Sequence, residues 1–130
     1  MPSKSDYVAL ASFRKSLRKF LRYVENNARL EGVTPQQHQV LLAVKGQEGR
    51  DWASINDLVE ALQIKHHAMV GLVDRCQALG LLERRQGSED RRVVQVSLTP
   101  LGEGILARVT ERSLHELRNV GTLTRALEEI

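Results

Sequence analysis

The fold is decided by residues 80–102, which read GLLERRQGSEDRRVVQVSLTPLG. Leu81–Arg85 is a short extended run, and apolar and polar side chains alternate from Val93 to Leu98, which is the period of a half-buried strand. The turn-rich segment Gln86–Asp90 separates the two runs. This stretch therefore predicts a β-hairpin with a charged tip.

Two helices joined by a tight turn are predicted before the hairpin. Ser54-Ile55-Asn56-Asp57 is a capping sequence that begins the first helix, and Gln63–Lys65 is long enough only for a turn. The second helix runs to about Leu79, with Gly80 placed as its stop. Its predicted buried stripe consists of Met69, Leu72, Val73, Cys76 and Leu79. These dimensions are those of a helix-turn-helix, and with the hairpin they predict a winged helix-turn-helix, mainly α with a small β-hairpin wing.

Amphipathic helices flank this region. Residues 5–30 carry apolar side chains at spacings of three and four, including Leu10, Phe13 and Leu17. Thr34-Pro35-Gln36-Gln37 has the form of a capping box that begins another helix, and Thr99-Pro100 opens a C-terminal helix. That helix is interrupted at residues 119–121, and residues 122–130 are predicted to resume it.

The first helix is long for a small domain, which suggests that a partner chain covers part of its stripe. The same pattern also fits a basic amphipathic helix lying on anionic lipid.

The composition is that of one folded domain over residues 1–130. The chain is 42% hydrophobic and 27% charged, which argues against a disordered or low-complexity class. Its one cysteine, Cys76, excludes an internal disulfide framework. No apolar run approaches the roughly 20 residues needed to cross a bilayer, and no secretory signal is apparent. We therefore expect a cytoplasmic protein.

The formal net charge of +3 hides an uneven distribution. Residues 1–30 carry seven basic and two acidic side chains, and residues 65–99 carry six and four, whereas residues 31–64 carry two and five. Segregation of this kind is typical of a protein with a nucleic-acid-binding face.

At the level of motifs, residues 34–106 resemble the MarR (multiple antibiotic resistance regulator) family of bacterial transcription factors. The residues that carry the resemblance are Thr34-Pro35, Leu72-Val73-Asp74-Arg75, Gly80-Leu81-Leu82-Glu83-Arg84, and the wing segment from Asp90 to Gly102. That segment has an Asp-x-Arg, alternating apolar residues, Leu-Thr and a following Gly.

The resemblance implies a homodimer in which residues 1–32 and 100–130 form dimerisation helices and residues 34–99 form the winged helix-turn-helix. Side chains expected at the dimer interface are Leu10, Phe13, Leu17, Leu114, Leu117, Leu123 and Leu127. The resemblance also implies a repressor that binds a palindromic operator and is released by a small-molecule effector, a metal or an oxidant.

The second helix of a helix-turn-helix enters the major groove of DNA. Its outer face is expected to present Lys65, His66, His67, Val70, Gly71, Asp74 and Arg75. Imidazole and ammonium groups at its start suit base acceptors and phosphates, although two adjacent histidines also fit a merely solvated helix start. Val70-Gly71 departs from the family, in which a hydroxyl residue and an Arg are common.

The wing is expected to contact DNA through a cluster of arginines. Arg84, Arg85, Arg91 and Arg92 lie on one hairpin, and an Arg at such a tip suits a narrow minor groove. By resemblance, Asp90 pairs with a wing arginine and orients it. The alternative is an exposed acidic and basic turn whose charges are solvated.

The sequence predicts no catalytic residues, no metal site and no cofactor. Cys76 lies on a predicted buried stripe, and the four histidines lack a metal-ligand spacing. The residue types select no effector, but the resemblance implies a site between the dimerisation helices and the winged helix, beside Phe13, Leu17, His38, Leu41 and Trp52. We therefore predict a dimeric, DNA-binding transcriptional regulator that is not an enzyme. The alternative is a winged helix used as a protein-interaction module.

Overall fold

Five helices and three strands make up the part of the chain that the computed structural model describes, residues 1–119 together with Arg125 and Glu128. In chain order they are α1 Lys4–Leu30, α2 Pro35–Lys45, β1 Trp52–Ala53, α3 Ile55–Leu62, α4 His66–Ala78, β2 Leu82–Gln86, β3 Val94–Leu98 and α5 Pro100–Asn119. The predicted winged helix-turn-helix is confirmed. Most of the helix predicted over residues 122–130, with Leu123 and Leu127, lies outside the described residues.

The chain forms two compact units. One contains residues 1–32 and the chain from Arg108 onward, and the other contains residues 33–107. We refer to residues 33–107 as the winged unit.

Helices α2 and α3 begin at the capping boxes that the sequence predicts. Thr34 Oγ1 accepts from the Gln37 backbone N–H at 3.1 Å, and Gln37 Oε1 accepts from the Thr34 N–H at 3.0 Å. Ser54 and Asp57 make the same reciprocal pair at 3.1 and 2.9 Å. Each box satisfies two donors that a helix start leaves without a partner.

The wing belongs to a three-stranded antiparallel sheet in the order β1-β3-β2. Leu82 pairs with Leu98 and Arg84 with Val96 across the hairpin. Strand β1, which pairs Trp52 with Ser97 on the other side of β3, was not predicted. Two residues are too few to display a strand period.

The core of the winged unit is formed by side chains of α2, α3, α4 and β3. The largest with no exposed surface include Leu41, Leu58, Met69, Val73, Cys76 and Val96. Burial of several such groups stabilises the unit by about 1.5–3 kcal/mol for each large apolar side chain.

The prediction that Leu79 is buried was wrong, since its side chain is 56% exposed. Leu79 is the C-cap of α4, and Gly80 follows with φ of +75°. The Leu81 N–H donates to Cys76 O at 2.9 Å and the Gly80 N–H to Gln77 O at 2.9 Å, which is a Schellman motif. The chain therefore reverses at Gly80, and Leu81 takes the buried position with 2% exposure.

The first turn of α5 packs closely against this reversal. The Thr99 N–H donates to Leu81 O at 3.1 Å, and Thr99 Oγ1 donates to Gly80 O while accepting from the Gly102 N–H at 3.1 Å. A Cβ added at Gly102 would lie 2.2 Å from Leu81 O. Only glycine fits at this position.

In the other unit, Glu31 at the end of α1 joins two arginines of α5. Its carboxylate accepts from Arg108 Nε at 2.6 Å and from Arg112 Nη2 at 2.8 Å. The Arg112 hydrogen bond, followed by that of Arg108, holds the pKa of Glu31 below its ordinary value. These contacts fasten the end of α1 to α5.

Several apolar side chains of this unit remain exposed. Leu10 is 55% exposed and Leu114 42% exposed, while Phe13, Leu17 and Leu117 are half-buried. An exposed apolar surface of this kind is typical of an interaction site. No helix in the described part of the chain is both long and apolar enough to span a membrane.

Candidate nucleic-acid interface

Helix α4 presents a polar N-terminus on the surface of the winged unit. Lys65 is its N-cap and makes no side-chain capping hydrogen bond, and His66 and His67 follow in the first turn. All three residues are exposed, whereas Met69, Leu72, Val73 and Cys76 of the same helix are buried. The two faces are therefore divided as the helical period predicts.

The middle of α4 carries Val70 and Gly71, both half-buried, beside the exposed Asp74 and Arg75. A Cβ added at Gly71 would meet only Arg75 Nη1, at an ordinary contact distance of 3.8 Å. No packed neighbour within the described residues therefore requires a glycine there, although glycine costs about 1 kcal/mol in a helix interior.

The wing turn is shaped by its backbone. The Gly87 N–H donates to Val93 O at 2.8 Å, and the Val93 N–H donates to Asp90 O at 3.1 Å. A Cβ at Gly87 would lie 2.6 Å from Asp90 O, so the turn requires glycine. Arg91 and Arg92 are exposed at its tip.

Asp90 holds Arg92, which is the pairing that the resemblance implied. Asp90 Oδ1 accepts from the Arg92 backbone N–H at 3.0 Å and from Nε at 3.2 Å, and Oδ2 accepts from Nη2 at 3.3 Å. The hydrogen bonds from the Arg92 side chain and backbone lower the pKa of Asp90. Three donors on one carboxylate fix the direction of the guanidinium group.

Arg84 and Arg85, on strand β2, are each paired with an acidic side chain. Arg84 is 25% exposed, and its guanidinium donates to Asp74 at 2.7 Å and to Gln77, both on α4. It connects β2 to α4. Arg85 is 72% exposed and pairs with Glu83 of its own strand at 2.9 Å.

A cleft that sequence reasoning missed lies beside these groups. It has a volume of about 590 Å³ and is lined by residues of β1, α3, α4 and the wing, among them Arg50, Trp52, His66 and Arg92. The Arg50 guanidinium carbon lies 4.0 Å from the centre of the Trp52 ring, which is a cation–π contact. The only sequence signal for this pair is an arginine two positions before an aromatic residue in a polar loop.

The remaining chemically active side chains do not form a site in the described residues. Cys76 is buried, and burial raises the pKa of its thiol to about 11. His38 is 4% exposed, and burial lowers its pKa. Among residues 1–119, Arg125 and Glu128, no three His, Cys, Asp or Glu side chains come together as metal ligands.

Comparison with known proteins agrees with this architecture. A family model described as MarR family matches residues 31–93. The HTH-type transcriptional repressor MdtR of Bacillus subtilis is 30% identical over 93 residues, which is 72% of this chain and 56% of the repressor. The match therefore spans little more than half of the repressor's length.

The chain is similar to MarR-family proteins over these matched residues. The crystal structure of the MarR family transcription regulator SP03579 has a TM-score of 0.75 and 29% identity, over 90% of this chain and 76% of that one. A MepR variant from S. aureus, solved bound to an oligodeoxyribonucleotide, shares the fold with a TM-score of 0.65 and 19% identity, over 92% and 83% of the two chains. The residues that the family model matches contain α2, α3, α4, β2 and the wing turn.

Proposed function

We propose that this chain is a sequence-specific DNA-binding transcriptional regulator of the MarR family. The observation that carries the proposal is the shared surface on the winged unit, where the cleft has His66 from the start of α4 and Arg92 from the wing along its walls. In a winged helix, these two elements enter the major groove and the neighbouring minor groove.

The proposed contacts follow the chemistry of the two elements. Lys65, His66, His67 and Arg75 supply donors for base edges and phosphates, with Val70 and Gly71 between them, and Arg91 and Arg92 supply guanidinium groups at the wing. Arg85 adds an exposed cation, whereas Arg84 and Asp90 act by holding other side chains in place.

We further propose that the protein binds a palindromic operator as a homodimer and acts as a repressor that responds to a small-molecule effector. Support for the dimer comes from the exposed Leu10 and Leu114 of the unit that contains α1. Support for repression comes from the name of the related repressor. A cytoplasmic location, a single functional domain over residues 1–130 and the absence of catalysis belong to the same proposal.

Selection of bound sequences from random duplex DNA tests this function. We expect a palindromic motif with half-sites about 34 Å apart along the helix axis. Binding without sequence preference, or no binding at low salt, contradicts the proposal and favours the protein-interaction module.

Two variants then separate positioning from base recognition. Arg92→Ala should weaken binding to all duplexes and reduce the salt slope by about 0.9 per bound protomer. His67→Ala should instead change the ranking of selected duplexes, and an unchanged ranking counts against base contact there. Arg118→Ala is a control that removes one exposed charge from the other unit.

A further inference from the structure

The cleft beside α4 lies where one strand of DNA has to pass if the proposed function is correct. Adjacent major and minor grooves are separated by a single sugar–phosphate strand. His66 is on the element assigned to the major groove, and Arg92 is on the element assigned to the minor groove, while both line the same cleft. On the proposed function, the other side chains that line this cleft are therefore expected to face a phosphate chain.

Arg50 is a further basic side chain that lines the same cleft. Its Nη2 donates to Asp57 Oδ2 at 2.7 Å and approaches Gln47 Oε1 at 3.4 Å, and its guanidinium carbon lies over the Trp52 ring at 4.0 Å. A charge-assisted hydrogen bond and a ring contact on one face leave the group little freedom to rotate. The Arg50 side chain is 32% exposed, so the guanidinium group is held in place and is still accessible from solvent.

Two of its nitrogen atoms remain available. Within the described residues, Nη2 makes all of the hydrogen bonds of Arg50, and neither Nε nor Nη1 has an acceptor. Guanidinium groups bind phosphate oxygens through pairs of such N–H groups.

We propose that Arg50 is a DNA-contacting residue that donates to a backbone phosphate, with Trp52 and Asp57 as the positioning residues that present it. The proposal rests on the proposed function and adds a contact from the segment before α3. It assigns Arg50 to affinity and register, because phosphate contacts carry no direct sequence information.

Asp57 is fixed on its other side by the start of α3. Its Oδ2 also accepts from the Ser54 backbone N–H at 2.9 Å. Partial burial opposes ionisation, but the hydrogen bonds from Ser54 and the Arg50 charge hold the pKa of Asp57 below its ordinary value. The carboxylate therefore stays charged at neutral pH and keeps Arg50 in place.

The salt dependence of DNA binding tests the role of Arg50. Arg50→Ala, Arg118→Ala and the wild type are titrated with a duplex of random sequence and with the selected duplex, by fluorescence anisotropy over a fourfold range of salt. We expect Arg50→Ala to lower the slope of log K against log salt by about 0.9 per bound protomer. The affinity ratio of wild type to variant then falls about 3.5-fold over that range. The loss of affinity should be the same on both duplexes.

A salt slope of Arg50→Ala equal to that of the wild type, with the fold intact by circular dichroism, overturns the proposal.

Asp57→Asn tests orientation against net charge. The variant removes one negative charge, so electrostatics alone predicts tighter binding to DNA. If Asp57 positions Arg50, binding becomes weaker although the protein is more positive. Asparagine still accepts from the Ser54 N–H, so the start of α3 is kept. Tighter binding by Asp57→Asn contradicts the positioning role.

Trp52 provides a direct signal, because it is the only tryptophan in the chain. Its emission should change on titration of the wild type with the selected duplex, and an unchanged emission at saturation contradicts a phosphate at this cleft. Trp52→Phe should retain more affinity than Trp52→Leu, since phenylalanine keeps a ring face for Arg50. Equal losses of affinity in the two variants count against the ring contact.

Failure of the wild type to bind any duplex refutes the proposed function itself. A wild type that binds DNA, with Arg50→Ala unchanged from it, refutes only the role of Arg50.

Discussion

The same substitution, glycine to alanine, is expected to have opposite effects at two helical positions of the winged unit. At Gly102 in α5, the new Cβ would lie 2.2 Å from Leu81 O and 3.2 Å from Leu81 C. At Gly71 in α4, it would meet only Arg75 Nη1 at 3.8 Å. Alanine improves helix propensity by up to about 1 kcal/mol at both positions, so the surroundings decide the sign.

At Gly102 the steric cost of the contact with Leu81 O exceeds the gain in helix propensity. An ordinary contact requires the first turn of α5 to move away from Leu81 O by about 1 Å, and overpacking of this kind costs about 1–3 kcal/mol. The movement also strains the hydrogen bond from Thr99 to Leu81 O and the bond from Gly102 to Thr99. Each is worth about 0.5–1.5 kcal/mol. We expect Gly102→Ala to lower the free energy of unfolding by about 2 kcal/mol.

At Gly71 nothing opposes the gain, and Gly71→Ala should raise the free energy of unfolding by about 0.5–1 kcal/mol. The measurement is urea denaturation followed by circular dichroism, at one protein concentration because association shifts the apparent stability. The added methyl group lies on the face proposed to approach DNA, so the same variant should bind the selected duplex more weakly. It is a more stable protein with poorer binding.

Each of the two variants, Gly102→Ala and Gly71→Ala, can contradict its own prediction. Wild-type stability in Gly102→Ala contradicts the close approach of α5 to Leu81. A loss of stability in Gly71→Ala contradicts the open space beside α4, and unchanged DNA affinity in that variant contradicts close approach of DNA at this position.

Three further predictions concern groups outside the proposed contacts with DNA. Burial lowers the pKa of His38, so the unfolded chain binds protons more readily and stability should fall as the pH drops below about 6.5. His38→Gln should flatten that dependence in urea midpoints measured across this range, and an unchanged dependence in the variant contradicts its assignment to His38. Leu114→Glu should convert a species of about twice 14.7 kDa into one of 14.7 kDa in sedimentation, and unchanged sedimentation removes Leu114 from the dimer interface. Cys76, with a buried thiol and a pKa of about 11, should react with a thiol reagent at pH 8 only after unfolding, and rapid labelling of the native protein contradicts its place in the core.

The features predicted correctly from the sequence are those that local chemistry decides. The Thr34 and Ser54 capping boxes and the reversal at Gly80 each depend on residues within a few positions of one another. The hairpin follows from alternation and a turn that requires Gly87. In each case, the residues that determine the local structure lie within the same short segment that adopts it.

The features that were missed depend on distant partners. Arg84 donates hydrogen bonds to Asp74 and Gln77 of α4, and no local sequence pattern predicts either contact. The Arg50 and Trp52 contact depends on β1, which forms only because β3 lies beside it. The helical period wrongly predicts a buried Leu79 when it is continued one residue beyond Ala78, where α4 ends.

The charges of the winged unit bear on the proposed recognition of DNA sequence. Residues 33–107 carry eight basic and nine acidic side chains, and the positive excess of the chain lies in residues 1–30. Net charge alone would therefore point to α1 as the DNA-binding element. Within the winged unit, Arg50, Arg84 and Arg92 are each joined to an aspartate, at 2.7, 2.7 and 3.2 Å.

Ion pairs between partly exposed side chains add only about 0–1 kcal/mol to stability. Each aspartate also fixes the direction of a guanidinium group and reduces its long-range attraction for DNA. A neutral surface with oriented donors binds random DNA weakly and gains affinity only where phosphates and grooves match the donors. On the proposed function, we therefore infer that the acidic side chains of the winged unit raise its specificity for DNA by lowering its non-specific binding.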